Sequence, residues 1–296
     1  SRERLPNAVM INNSINNLEF EFVSAIRKIR LKQKQKIAFI HGQGELEGIE
    51  IEDIVQTLNG YYSISNVTID QNINSLSTVI DNKSFRQNIF DLIVIAKPTR
   101  AFNDKDQFII DQFIMHGGKV VWLLDGVQAS MDSLKGRQQT IGLPMDINVF
   151  DMLFTYGARV NKNLVLDKTC APIGLNVGNY GDRPQIKMFP WYFNPVIIPQ
   201  GKNPIVSNID PILLQFASSI DAVGDKSITK TPLLETSALT KIYNAPARIN
   251  LSIINSPINF NVNNKPYRIV AMLLNGKFES HFKYTLPPKL IDADEI

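Results

Sequence analysis

Two short apolar runs flanking a capped helical pattern constrain this chain more than any other feature. Asp91-Leu-Ile-Val-Ile-Ala-Lys-Pro98 and Gly117-Gly118-Lys-Val-Val-Trp-Leu-Leu-Asp125 are continuously apolar rather than alternating, as parallel strands buried on both faces are. Between them Asn103 or Asp104 can cap a helix whose Phe108, Ile109, Phe113 and Ile114 share one side, and Gly117-Gly118 ends it. The unit reads as strand, crossover helix, strand. Its outgoing strand stops at Asp125-Gly126, and positions 124–126 hold no Ser, Cys or Thr. Many enzymes of this architecture place their nucleophile just there.

The same pattern extends toward the N-terminus. Lys36-Ile-Ala-Phe-Ile-His41 reads as a buried strand, Gly42-Gln-Gly44-Glu45 as the turn into a helix through about Leu58, and Tyr62 to Ile69 as a second strand. Residues 71–88 are rich in Asn and Ser and read as a loop with a short helix. The order from 36 to 125 predicts an α/β fold: a doubly wound parallel sheet with helices on both faces and right-handed crossovers.

Beyond 126 the pattern changes. Gly136, Gly142 and Pro144 mark 127–147 as a long surface loop, a helix is expected near 148–156, and Leu164-Val-Leu166 is a short strand. The prolines of 171–204, with Trp191, Tyr192 and Phe193 among them, predict a β-rich insertion built of hairpins. Thr231 to Ser237 and Tyr267 to Leu274 are expected to return as two more strands of the main sheet. The organisation is therefore an N-terminal segment 1–34, an α/β core 35–160, and 161–296, which holds the insertion (about 165–205) and the returning chain.

Composition excludes several classes. Apolar content of 44% and charged content of 20% are globular values. A net charge of +3 is too small to argue for nucleic acid, and the single Cys170 excludes an intramolecular disulfide and a multi-cysteine metal site. No apolar run approaches the ~18–20 residues needed to span a bilayer. The chain starts at Ser1 without a signal peptide, which reads as a piece of a longer protein.

Ligands of open α/β sheets sit beyond the carboxyl ends of the strands. Four side chains fall there: His41 and Glu45 after the first strand, Lys97 after the third and Asp125 after the fourth. An imidazole, two carboxyls and an amine could do acid–base work, and strand ends also carry polar residues wherever a chain surfaces. The Gly42-Gln-Gly44 turn lacks the third glycine of a dinucleotide fingerprint and the Gly-Lys-Ser/Thr of a triphosphate loop. His116 suits a helix C-terminus, His281 stands alone, and no HxxxH or HxH spacing occurs. Neither a cofactor nor a metal is expected.

Two stretches suit partners. Ile15, Leu18, Phe22, Ile26 and Ile29 form an apolar stripe at helical spacing over 12–33. Arg27, Lys28, Arg30, Lys32, Lys34 and Lys36 follow, with no acid between Phe22 and Gly44. Such a helix fits a membrane-proximal or partner-binding role through Phe22 and Ile26, and its cations equally fit a solvated helix end. Trp191, Tyr192 and Phe193 fit either an exposed aromatic patch or a core cluster under the insertion.

Five segments carry a family resemblance: Ile37-Ala-Phe-Ile-His-Gly-Gln-Gly-Glu45, Asp91 to Pro98, Phe102-Asn-Asp-Lys-Asp106 onward into Gly117-Gly118, Pro232-Leu-Leu-Glu-Thr-Ser237, and Val270-Ala-Met-Leu-Leu-Asn-Gly-Lys-Phe-Glu-Ser280. In this order and spacing the chain resembles the extracytoplasmic domain of auxiliary subunits of bacterial ABC-type transporters, most of all the gliding-motility-associated components of Bacteroidetes. The resemblance implies a flavodoxin-like sheet similar to class I glutamine amidotransferases. Those enzymes keep a Cys after a central strand, where this chain has Asp125-Gly126, so a non-catalytic domain is expected. It also implies membrane anchors flanking the domain, a place on the periplasmic face of the inner membrane, and as partners a permease subunit and, through it, a cytoplasmic ATPase. A homodimer is a further candidate assembly. The readings competing with this are a hydrolase or amidotransferase-like enzyme and a small-molecule or sugar sensor, both at the strand-end crevice.

Overall fold

The computed structural model describes residues 18, 22–26, 34–80, 86–181, 183–201, 203–255 and 258–285. The N-terminal helical stripe is therefore seen at Leu18 and over 22–26, both helical. Ile15, Ile29 and the cations 27–32 lie outside the described residues.

Four parallel strands form the first sheet: β1 (Lys36–His41), β2 (Ser63–Thr68), β5 (Leu92–Ala96) and β6 (Lys119–Leu123), in the order β2-β1-β5-β6. All three pairings are parallel, with Ile37 opposite Leu92 and Val94 opposite Val121. Alternate side chains of a strand point to opposite faces, and helices lie on both. Ile37, Phe39, Val94 and Ala96 meet Ile51 and the flank of α1 (Glu52–Asn59). Ala38, Ile40, Ile93 and Ile95 meet Ile109, Ile110 and Phe113 of α2 (Asp104–Met115) and Met152 and Leu153 of α3 (Phe150–Tyr156).

The strongest sequence signals sit where expected. Asn103 caps α2, its Oδ1 accepting from the Asp106 N–H at 2.8 Å. Gly157 ends α3 in the left-handed region at φ 108°. β1 and β5 are buried nearly throughout.

Expectation and structure part at five places. β6 is not covered on both faces: it is an edge strand with Val121 and Leu123 exposed, because α1 does not extend over it. The Asn-rich 71–88 stretch contains, besides a short 3-10 turn, the small hairpin β3 (Ser77–Val79) and β4 (Arg86–Asn88). The 127–147 segment is not a bare loop. It holds β7 (Val127–Gln128) and β8 (Gln139–Pro144), which join β17 (Ala247–Asn250) in a three-stranded sheet. The returning strands β15 (Thr229–Glu235) and β18 (Ile269–Asn275) do not complete the parallel sheet. They pair antiparallel with each other, in a separate sheet ordered β15-β18-β14-β9 with β14 (Ile220–Ala222) and β9 (Ala158–Val160). Finally, the helix after β1 begins at Glu52, seven residues beyond Glu45, after a short 3-10 turn at Gly48–Glu50.

The β-rich second half has its own core. β10 (Asn163–Asp167) pairs with β16 (Thr240–Asn244), and a long hairpin joins β11 (Cys170–Tyr180) to β12 (Arg183–Ile197), whose end pairs with β13 (Ile212–Leu213). Trp191, Phe193, Phe216, Leu164, Leu166 and Ile249 pack beneath them. Two fully buried aspartates fasten stretches of chain that are distant in sequence, Asp167 within the second half and Asp111 between the halves. Asp167 accepts from Thr169 N–H, Thr240 Oγ1 and both the N–H and Oγ of Ser237. Asp111 of α2 accepts from Tyr156 Oη, Ser280 Oγ and His281 N–H, tying residues 280 and 281 to the helix. The distribution is mixed α/β and predominantly strand.

Candidate functional site

Because β1, β5 and β6 run parallel, their carboxyl ends share one edge of the sheet, and the turns that follow meet there. Leu46 N–H bonds Ala96 O at 2.8 Å, while Thr99 and Arg100 N–H both bond Gln43 O, at 2.9 and 2.8 Å. Arg100 Nη2 reaches Gly42 O at 3.1 Å. The approach is close at Gly44. It sits at φ +73°, and a Cβ there would lie 2.2 Å from Thr99 Oγ1, so the turn requires glycine.

These turns bury polar side chains. Glu45 is not at a helix N-terminus, as its sequence position suggests; it folds back so that Oε2 accepts from Gln43 N–H at 2.8 Å. Gln43 Nε2 donates to Asp106 Oδ2 at 3.1 Å, and Asp106 Oδ1 accepts from Gln71 N–H at 2.8 Å. The first turn of α2 thus holds the turns after β1 and β2. Gln43 and Glu45 are 8% and 7% exposed, yet Gln43 Oε1, Glu45 Oε1 and both ring nitrogens of His41 are buried without a hydrogen-bond partner. His41 Nδ1 and Glu47 Oε2 stand 3.9 Å apart, beyond hydrogen-bond reach.

The outer half of the site is an ion pair. Lys97 Nζ lies 3.4 Å from Asp125 Oδ2. Lys97 adopts φ +56°, and its N–H bonds Leu123 O at 2.8 Å, which holds the residue beside the end of β6.

Burial sets the electrostatics. Desolvation pushes the Glu45 carboxyl above its ordinary value, against the bond from Gln43 and the charges of His41 and Arg100. Asp106 is raised by burial against the bonds from Gln71 and Asn103, and Asp125 by burial against Lys97. Burial thus makes all three carboxyls at this edge easier to protonate than exposed ones.

The four expected crevice residues thus reach one edge of the sheet in two groups: Lys97 with Asp125, and Glu45, turned onto Gln43, beside His41. Gln43, Arg100 and Asp106 belong to the site and were missed from sequence. Asp106 carried a signal, an acid three residues past the Asn103 cap.

The partner-contact expectations divide. Phe22 and Ile26 are 61% and 54% exposed. Trp191 is fully buried, with its ring 5.2 Å from that of Phe193, so it is core and not an exposed contact. Tyr192 is half-buried against Phe260 at 5.1 Å. A separate pocket of about 150 Å³ lies between the β3–β4 hairpin and α2, lined by Leu76, Arg86, Asn88, Phe108, Phe113 and His116 among others. Among the described residues no helix is long and apolar enough to cross a membrane.

Comparison with known proteins gives three findings. The model of the family described as an ABC-type uncharacterized transport system matches residues 34–295. An uncharacterized protein of Borreliella burgdorferi (strain B31) is 22% identical over 297 residues, covering 98% of this chain and 54% of its own. The chain thus spans about half the length of that relative. A solved structure, the mmIFT52 N-terminal domain, is similar at a TM-score of 0.45 and 14% identity, over 70% of this chain and 75% of that one.

Proposed function

The chain belongs to the family of ABC-type uncharacterized transport systems, as an auxiliary component, and from that premise we propose that it is a non-catalytic, extracytoplasmic recognition domain. Its partners are a membrane permease subunit and, through it, a cytoplasmic ATPase. Its place is the periplasmic face of the inner membrane. The transport system it serves is one that supports surface gliding and linked protein export, a reading that rests on the resemblance of the five segments quoted above.

The observation that carries a recognition role is the mutual engagement of the strand-end groups. At the end of β6, where this architecture places a nucleophile, Asp125 pairs with Lys97. Glu45 is committed to the backbone of Gln43, and Asp106 to the turns it holds. Each side chain holds a loop in place, which suits a rigid presenting surface. The strand order β2-β1-β5-β6 is the first four strands of the flavodoxin-like order, so the scaffold suits a flavodoxin-like enzyme fold adapted to binding.

A second reading, a small-molecule or sugar sensor at the same edge, is favoured by one observation: the unpaired Gln43 Oε1, Glu45 Oε1 and His41 ring nitrogens. Buried polar atoms without partners suit a ligand carrying hydroxyl or amine groups, which can meet both the oxygens and the imidazole.

Crosslinking in the native membrane tests the first reading. A photoreactive residue on the strand-end turns should recover the permease subunit. Recovery of unrelated soluble proteins alone would overturn it.

A further inference from the structure

The helical residues Leu18 and 22–26 are seated inside out. At about 100° per residue, Leu18, Phe22 and Ile26 fall on one side and Val23 beside them, while Ser24 falls opposite. Ser24 is the buried residue, 7% exposed and hydrogen-bonded to Tyr61 Oη. The four apolar side chains are 55%, 61%, 54% and 59% exposed in the same order. An amphipathic helix of a globular protein normally buries its apolar side. This one rests on the body through a polar contact and offers its apolar side outward.

The sequence beside this stripe determines what it can meet. Arg27, Lys28, Arg30, Lys32, Lys34 and Lys36 follow it, and no acid occurs from Phe22 to Gly44. Glu19 and Glu21 precede Phe22. Apolar side chains next to clustered Lys and Arg are the composition of a helix that lies in a lipid interface, where anionic headgroups supply the countercharge. A second copy would carry the same run of like charge in its sequence, which favours an anionic surface over self-association. The four described apolar side chains also fall well short of the about 800 Å² per partner that a stable protein interface buries.

We propose that this helix lies flat on an anionic lipid surface, with Leu18, Phe22, Val23 and Ile26 in the boundary between headgroups and acyl chains. The inference leans on the transporter reading only for the presence of a bilayer. The body then hangs beneath the helix, with the surface around Tyr61, on which Ser24 rests, turned toward the membrane.

Sedimentation of the full chain with vesicles tests this. Vesicles of phosphatidylcholine with phosphatidylglycerol should bind it at low salt at least about tenfold more tightly than phosphatidylcholine alone. The double substitution Phe22→Asp with Ile26→Asp should weaken binding by a similar factor without changing the circular dichroism spectrum, since both side chains are exposed in the free protein. Arg27→Glu with Lys28→Glu should abolish the preference for the anionic vesicles. Equal binding of the wild-type and the Asp-substituted chain to both vesicles would overturn the proposal. So would a doubled mass in solution that Phe22→Asp returns to the single-chain value, because a second copy would then be the occupant. A chain with both Asp substitutions that loses the vesicles yet still recovers the permease subunit supports the lipid contact by itself. A wild-type chain that binds the vesicles but recovers no transporter subunit sinks the transporter reading and leaves this one standing.

Discussion

Asp111 and Ser280, separated by 169 residues of chain, meet in the protein interior: Ser280 Oγ donates to Asp111 Oδ2 at 2.7 Å. The carboxyl also takes Tyr156 Oη at 2.5 Å and His281 N–H at 2.8 Å, and Asp111 has no exposed surface. Burial first, and then the charge of Asp111, push the Tyr156 phenol far above its ordinary value. The phenol is therefore a permanent donor. Replacing Asp111 with Ala leaves the buried Tyr156 Oη and the partly buried Ser280 Oγ, His281 N–H and Gln112 Nε2 without this acceptor, and an unsatisfied buried group costs about 1–3 kcal/mol. The expected loss is about 3–5 kcal/mol, read by urea unfolding. Tyr156→Phe removes one bond and should cost about 1–2 kcal/mol. Ser280→Ala in the Asp111→Ala background should add little, because the partner is already gone.

Acid should favour this fold at the strand-end turns. Burial raises the Glu45 carboxyl above its ordinary value of 4.5. The folded state therefore holds its proton at pH values where the unfolded chain has released it. The contribution of Glu45 is complete below about 4.5 and is lost as pH rises through the folded value. Glu45→Gln cannot ionise, so the variant should match the wild type at low pH and gain on it as pH rises. Denaturant midpoints across a pH series would show this; parallel curves would mean that Glu45 ionises freely in the folded protein.

Lys97→Ala should barely touch stability. The amine is about half exposed and stands 3.4 Å from Asp125, a geometry worth about 0–1 kcal/mol. A thermal shift should stay within a few degrees, on the order of the scaling for a chain this long. Any loss of permease crosslinking by this variant then reports on recognition instead of folding.

Trp191→Ala should cost about 3–5 kcal/mol, the range for emptying a large buried aromatic site. Trp191→Phe should cost less than about 1.5 kcal/mol, since the indole Nε1 has no hydrogen-bond partner to lose. A stable Trp191→Ala chain with an unchanged midpoint would place this ring at a surface after all.

The sequence was informative where structure is local. Asn103 and Gly157 bound their helices by contacts within a few residues, and the runs 36–41 and 92–96 needed only their own apolar character to be read as strands. It was uninformative where a strand depends on a distant partner. Gln139 to Asn250 is one rung of a sheet, with 110 residues between them, so β8 read as loop. Thr231 to Glu235 and Ile269 to Leu274 had strand character, but nothing in either run says that they pair with each other and not with β6. Within the site, His41, Glu45, Lys97 and Asp125 were legible because strand ends can be counted. Gln43 and Arg100 were not, since a turn's folding back on itself depends on backbone bonds to Thr99 and Arg100 that no side-chain pattern announces.

The two buried carboxyls of α2 hold separate parts of the chain. Asp106 in its first turn grips the turns after β1 and β2 through Gln43 and Gln71, and Asp111 grips residues 280 and 281. The helix between them rises only about 7.5 Å. A piston stroke of α2 along its axis would break both grips together, so a load applied at the strand-end turns is shared with residues 280 and 281. The helix is thus a tie rod between the strand-end turns and residues 280 and 281.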